Sequence, residues 1–155
     1  MSLDATGVAV GGNRTGVELV RRIVRTVVND GDLGAVPDLF AADYVLRKAG
    51  LSVPRGPEAI KMLVRQWRDA FPDYHVEIEA VIAAGDVVAC RYVASGTHRG
   101  ALLGVPPTDR AFTVRGTDVH RLADGLVAES WLADDLPRIL TEVGFLTPSA
   151  SSRWT

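Results

Sequence analysis

The sequence predicts an α+β domain in which N-terminal helices pack within a curved antiparallel sheet and leave an open pocket. Three observations carry this reading. Apolar residues recur at helical spacing from Val17 to Trp67, and they alternate with other residues from Val76 to Leu122. Gly85-Asp86 and Asp124-Gly125 then break the alternating half as hairpin turns do. Helices first and a run of strands after indicate α+β rather than a parallel α/β sheet. With 155 residues and a hydrophobic fraction of 47%, the chain suffices for one domain with a real core.

The elements follow in order. Thr15 with Glu18 three residues on is a capping-box pattern. Val17, Val20, Ile23, Val24, Val27 and Val28 then hold one helical face until Asn29-Asp30-Gly31 ends it. Leu33, Val36, Leu39 and Phe40 suggest a short second helix, which admits Pro37 only in its first turn. Gly56-Pro57 opens a third, with Ile60, Leu63, Val64 and Trp67 on one face and Phe71-Pro72 at its end. The period then changes to two: Val76, Ile78, Ala80 and Ile82 share a face against Glu77, Glu79 and Val81. A second strand spans Val87 to Thr97, and a long loop around Leu102 to Arg110 leads into two further strands joined at Asp124-Gly125. Asp134-Asp135 precede a last helix bearing Leu136, Ile139, Leu140 and Val143, closed by Gly144. This divides the chain into a flexible leader (1–14), one domain (15–146) and a polar tail (147–155) containing Trp154. A twisted sheet and three short helices leave a hollow, the natural place for a small-molecule site.

Composition excludes several classes. Net charge is −2 and the arginines are scattered, so no nucleic-acid partner is expected. No stretch approaches the ~20 apolar residues of a membrane span, and Met1 to Asn13 lacks the pattern of a signal peptide. The lone Cys90 reads as core packing in a reducing, cytoplasmic compartment. His75, His98 and His120 show no metal-ligand spacing, so no metal is expected.

The stretch from Gly96 to Trp131 is the most informative. Phe112, Val114, Gly116, Asp118, His120 and Leu122 share one side of a period-two ribbon, so Asp118 falls on a core-facing edge. A carboxylate there costs several kcal/mol unless it is paired or wetted by a cavity. Asp118 is read either as a general acid or base whose pKa an apolar pocket raises, or as the partner of Arg91, Arg115 or a hydroxyl. Asp135 reads most simply as a helix N-cap. Asp134 is either its neighbour in that role or a second carboxylate facing Asp118.

Gly96-Thr97-His98 with Gly100, the loop Leu103-Gly104-Val105-Pro106-Pro107-Thr108-Asp109-Arg110, and Glu129-Ser130-Trp131 after the Asp-Gly hairpin resemble the SnoaL-like polyketide cyclases. So do Gly31-Asp32-Leu33, Leu39-Phe40 with Asp43-Tyr44-Val45, Gly56-Pro57-Glu58 and Phe71-Pro72-Asp73. The resemblance runs from about Val17 to Leu146 and implies the cone-shaped nuclear-transport-factor-2-like fold. It also implies acid/base ring closure without metal or cofactor on an apolar, polyketide-like substrate, by aldol chemistry, epoxide opening or conjugate addition. A homodimer through the outer sheet face is implied too, with Arg91, Thr113 and Glu129 at its rim. In such cyclases an aspartate on the last strand is the acid/base, helped by a polar residue on the strand before. Here those positions fall on Leu132 and Asp118, and Ser130 stands where the family commonly has His before Trp131. The expected catalytic set is thus Asp118, Tyr92, Asp134 and His98. Tyr44 (at the rim of the cone), Trp67, Leu103, Phe112, Ser130 and Leu132 are the expected substrate contacts. Each of Tyr92, Tyr44 and Trp67 has an alternative reading as packing, and His98 as the anchor of the loop that follows it. His120 is expected near solvent. A non-catalytic small-molecule binder of the same fold is the alternative to a cyclase.

Overall fold

The computed structural model describes residues 8–9 and 13–146; the leader and tail expectations for 1–7, 10–12 and 147–155, Trp154 included, lie outside the described residues. The architecture is the α+β arrangement expected: helices lie against the inner face of one curved, unclosed sheet. After the two-residue strand β1 (Val8–Ala9), helix α1 (Arg14–Arg22) runs directly into a π-helical segment (Ile23–Asn29). A 3₁₀ turn (Leu33–Asp38) leads to strand β2 (Phe40–Lys48), then helix α2 (Glu58–Ala70). Strands β3 (His75–Ala84), β4 (Val87–Thr97), β5 (Ala111–Ala123) and β6 (Leu126–Asp134) follow, and α3 (Leu136–Glu142) closes the order. The strands lie in the order β1-β3-β4-β5-β6-β2.

Helix α1 starts earlier than the Thr15–Glu18 pattern implies. Asn13 is its cap, the side-chain oxygen accepting from Gly16 N at 3.0 Å. Val17, Val20, Ile23 and Val27 face the core as their spacing requires. The final turns widen: Asp30 N donates to Arg25 O at 3.0 Å, a five-residue step that a 3.6-residue periodicity does not reveal. The second expected helix is only the 3₁₀ turn, because Pro37 lacks an N–H and limits the run.

Two further corrections concern the sheet. The sequence pattern does not predict β2 as a strand, and β2 pairs with β6 in parallel, so the sheet is mixed. A parallel neighbour arrives by a long crossover and leaves no hairpin signal in the sequence. In β3 a register shift between Ile78 and Ala80 reverses the faces. Val76 is buried, but beyond the shift Val81 and Ala83 are buried and Ile82 is exposed. One extra residue turns every later side chain over.

The β4–β5 pairing is unbroken from Val87–Arg121 to Thr97–Ala111 and sets Cys90 opposite Asp118 and Tyr92 opposite Gly116. The β5–β6 hairpin turns on Asp124 and Gly125, both with positive φ (52° and 76°), as a two-residue turn of matching twist requires. A shift after Arg121 leaves Glu129 opposite Arg121 on the outer face, where its carboxylate meets Arg47 at 2.9 Å.

The loop between β4 and β5 is tied at its base. His98 N donates to Arg110 O at 2.8 Å, and Arg99 N and Gly100 N both donate to Ala70 O at 3.0 Å. Gly100 passes so close to α2 that a Cβ would lie 1.8 Å from Asp69 O. Beneath this loop Phe71 and Phe112 pack edge to face with centroids 4.8 Å apart.

Candidate active site

The hollow between the helices and the inner sheet face is a cavity of about 90 Å³. Val20, Ile23, Ile60, Leu63, Val64 and Trp67 form its apolar helical wall. Most of its polar groups come from the sheet, where alternation aims every second side chain inward. They are Tyr44 and Lys48 from β2, Tyr92 from β4, Asp118 and His120 from β5, and Ser130 and Asp134 from β6.

Asp118 is inward-facing because it continues the apolar series Phe112, Val114, Gly116. Its Oδ1 accepts from the Tyr92 hydroxyl at 3.3 Å and from Ala133 N at 3.3 Å. Burial pushes its carboxyl up to about 7. The two hydrogen bonds and Lys48 act in the opposite direction, and Asp134 reinforces the rise. Neither Arg91 nor Arg115 holds it: both are outside, sharing Glu79 at 3.5 and 3.0 Å. Burial also drives the Tyr92 phenol well above its ordinary range, so it stays a donor to Asp118.

Gly116 makes room for that donor. A Cβ there would sit 2.5 Å from the Tyr92 hydroxyl oxygen. Gly116→Ala is therefore expected to force the ring away from Asp118 and to destabilise the fold by about 1–3 kcal/mol, as overpacking does. Thermal denaturation reads the second effect, and a crystal structure of the variant reads the first. An unmoved ring at wild-type stability would contradict both.

Asp134 lines the cavity with Asp118, but it is not a free second carboxylate. Lys48 Nζ forms an ion pair with its Oδ2, and the same ammonium lies 5.8 Å from the Trp67 ring centroid. Asp135 caps α3, accepting from Arg138 N at 3.2 Å. His120 corrects another expectation: it is buried, with Nδ1 2.7 Å from Ser130 Oγ, the residue directly opposite on β6. Burial pushes its imidazole down to about 4, so it is neutral at pH 7. Tyr44 is likewise deep in the cavity rather than at the rim. It is fully buried, edge-on to Phe40 at 4.9 Å. Its hydroxyl finds no partner of hydrogen-bond geometry among the described residues; the Ser130 hydroxyl is close enough only to offset part of the rise that burial gives the phenol.

Trp67, Ser130 and Leu132 line the cavity, and three other expected site residues do not. His98 is fully buried beneath the loop, its Nδ1 accepting from Thr108 N at 3.2 Å. Thr108 in turn donates to Val143 O at 2.7 Å, so His98 anchors the loop to the end of α3. Leu103 is 65% exposed at the loop tip, where its φ of 49° belongs to a turn. Phe112 is packed among Phe71, Trp67 and Tyr74, one aromatic layer away from the cavity.

Lys48 and Tyr74 line the cavity although sequence reasoning misses both. Lys48 is legible in principle, since Tyr44, Leu46 and Lys48 keep the period of two once β2 is recognised as a strand. Tyr74, stacked on Trp67 at 5.6 Å, has no such signal, because it sits in the turn after α2.

Comparison with known proteins identifies the family. The model of the SnoaL-like polyketide cyclase family matches residues 18–143. The chain is 30% identical over 119 residues to nogalonic acid methyl ester cyclase from Streptomyces nogalater, covering 75% of this chain and 88% of that protein. It is 30% identical over 118 residues to aklanonic acid methyl ester cyclase DnrD from Streptomyces peucetius, covering 74% and 81%. Among solved structures, TsrD from Streptomyces laurentii superposes with a TM-score of 0.78 at 26% identity, over 88% of this chain and 100% of that one. The cavity walled by helices and floored by inward polar residues, the sheet order and these matches lead to one conclusion: the chain belongs to the SnoaL-like polyketide cyclase family.

Proposed function

We propose that this protein is a cofactor-independent cyclase that closes a ring in a carbonyl-rich, largely apolar substrate, with Asp118 as its acid/base. The observation that carries this is the placement of Asp118: a carboxyl in an apolar cavity, bonded to the Tyr92 hydroxyl, with both protonation states populated near neutral pH. The carboxylate takes a proton from a carbon next to a carbonyl. The resulting enolate attacks a second electrophilic carbon of the same molecule, forming the new C–C bond. Protonated Asp118 then returns the proton to the oxygen or carbon that carries the charge, so the product is an isomer of the substrate. An aldol acceptor, a conjugated alkene and an epoxide differ only in the bond that the enolate opens. Tyr92 stabilises the carboxylate, while the Lys48–Asp134 pair sets the charge beside it.

The enclosed space is smaller than the engineered cavity of about 150 Å³ that accepts benzene. A reacting ring therefore displaces side chains of the helical wall, and the rest of a polycycle lies at the mouth beside half-buried Leu132 and Asp134. Much of the rate then comes from holding the two reacting carbons together. Incubation with aklanonic acid methyl ester or nogalonic acid methyl ester, the compounds in the relatives' names, tests the reading. An isomer formed by wild type and lost in Asp118→Asn is the expected result; equal conversion by both proteins would remove Asp118 from the mechanism.

A non-catalytic binding role is favoured by one observation, Leu132 directly opposite Asp118, which puts an apolar side chain beside the proposed base. Binding of both esters without conversion would select it. We also infer a homodimer through the outer sheet face, where Trp131 is 40% exposed among the arginines around Glu129 and Glu79. Light scattering should give twice the 16.6 kDa chain mass; the monomer mass would reject it.

A further inference from the structure

The inner end of the cavity has a donor that the proposed ring closure does not use. Three inward side chains meet there. Ser130 is fully buried, whereas the next inward residues of β6 toward the mouth, Leu132 and Asp134, are half-buried. His120 stands opposite Ser130, just as Asp118 stands opposite Leu132. The floor is therefore one inward step, about 7 Å along the strands, below the layer of Asp118. Tyr44 completes it from β2, the strand paired with β6 on its other side.

Ser130 and His120 satisfy each other at 2.7 Å. Tyr44 Oη is fully buried and has no hydrogen-bond partner among the described residues. An unmet buried hydroxyl is destabilising, and native structures carry few of them. A phenylalanine would keep the edge contact with Phe40 without that cost, so the hydroxyl calls for a function. Burial holds the phenol far above its ordinary range, so it remains a donor.

We propose that Tyr44 Oη is the anchor of a carbonyl subsite at the floor of the cavity, donating a hydrogen bond to a ketone oxygen of the ligand. The Ser130–His120 pair walls that oxygen on one side, and the apolar helices hold the carbon skeleton above it. A ligand thus enters carbonyl first and presents a carbon about 7 Å nearer the mouth to Asp118. This rests on the reading that the cavity receives a carbonyl compound, but not on turnover. It makes Tyr44 a positioning and specificity residue.

A matched pair of small probes tests it: acetophenone, and α-methylstyrene, in which a methylene replaces the carbonyl oxygen. Their dissociation constants, from NMR titration of wild type, Tyr44→Phe and Asp118→Asn, give a ketone-to-alkene ratio for each protein. Tyr44→Phe is expected to shift that ratio about fivefold against the ketone, the weight of one hydrogen bond, with α-methylstyrene binding unchanged. Asp118→Asn should keep the wild-type ratio while lowering turnover, which separates this inference from the catalytic one. In wild type labelled with ¹³Cζ-tyrosine, acetophenone should move the Tyr44 resonance and α-methylstyrene should not, a reading that needs no variant to fold. A ratio unchanged in Tyr44→Phe, as a resident water on the hydroxyl would produce, overturns the proposal. So does a ratio lost in Asp118→Asn alone, or failure of acetophenone to bind wild type up to its solubility limit.

Discussion

Asp118→Asn is expected to lower ring-closing turnover by about 10²–10⁴-fold, the usual weight of a positioned acid/base, and to make the protein more stable than wild type above neutral pH. Both effects have one cause. Asn can accept from Ala133 N and Tyr92 as the aspartate does, so the fold keeps its contacts and loses only the proton. Burial raises the folded-state value to about 7, against an ordinary value of 3.8. Between those values the folded chain holds a proton that the unfolded chain has released. Unfolding therefore releases a proton, and this group's contribution to stability falls as pH rises through the window. The fall is at most about 4 kcal/mol. It is complete above pH 7, where both states carry the charge and the folded one bears the cost of burying it. Melting curves of the two proteins should thus nearly coincide at pH 4 and separate toward pH 8, with the Asp118→Asn variant giving the higher Tm. In wild type, kcat/KM should rise with pH through about 7 as the carboxylate forms. Parallel stability curves for the two proteins would mean that Asp118 titrates as an exposed carboxyl.

Lys48→Met should cost about 3 kcal/mol, the lower end of the range for breaking a buried ion pair because the cavity mouth admits water. The Lys48 side chain is 9% exposed and that of Asp134 14%, so neither charge has much solvent to replace its partner. Methionine keeps the length and the contact with Trp67 while leaving Asp134 without a counter-charge. Changing Asp134 to Leu in the same chain should recover most of the loss, since replacing both members removes the burial cost along with the attraction. Activity has its own sign. Lys48 lowers the pKa of Asp118 and Asp134 raises it. Lys48→Met therefore moves the rise in kcat/KM to higher pH, and the double variant moves it back. Differential scanning calorimetry and pH profiles of the three proteins check both statements. An unchanged Tm in Lys48→Met would show a solvated pair contributing little, as surface pairs do.

Much of this site follows from local pattern. Asp118 lies on the apolar face of β5 because alternation and the Asp124-Gly125 turn set its register. Ser130, Leu132 and Asp134 face the same space because they keep the same period on the partner strand. The helical wall follows from the spacing of Val20, Ile23, Ile60, Leu63 and Val64. What the pattern misassigns shares one property: its surroundings are set by the elements that close around it. Lys48 enters the cavity only because β2 crosses to pair in parallel with β6. His120 looks solvent-facing from its place near the turn, yet its opposing residue is the buried Ser130. His98 and Phe112 have the residue types of a site, but the loop and α2 close over them.

Fold class, the inward face of β5 and the family were thus written into the sequence, because periodicity and turn chemistry act over a few residues and survive without tertiary context. Which carboxylate is free and which is paired was decided by the tertiary structure. So were the depth of Tyr44 and the space left by Gly116 for Tyr92. Charge pairing and desolvation are set by atoms that meet through space, and no spacing along the chain encodes them.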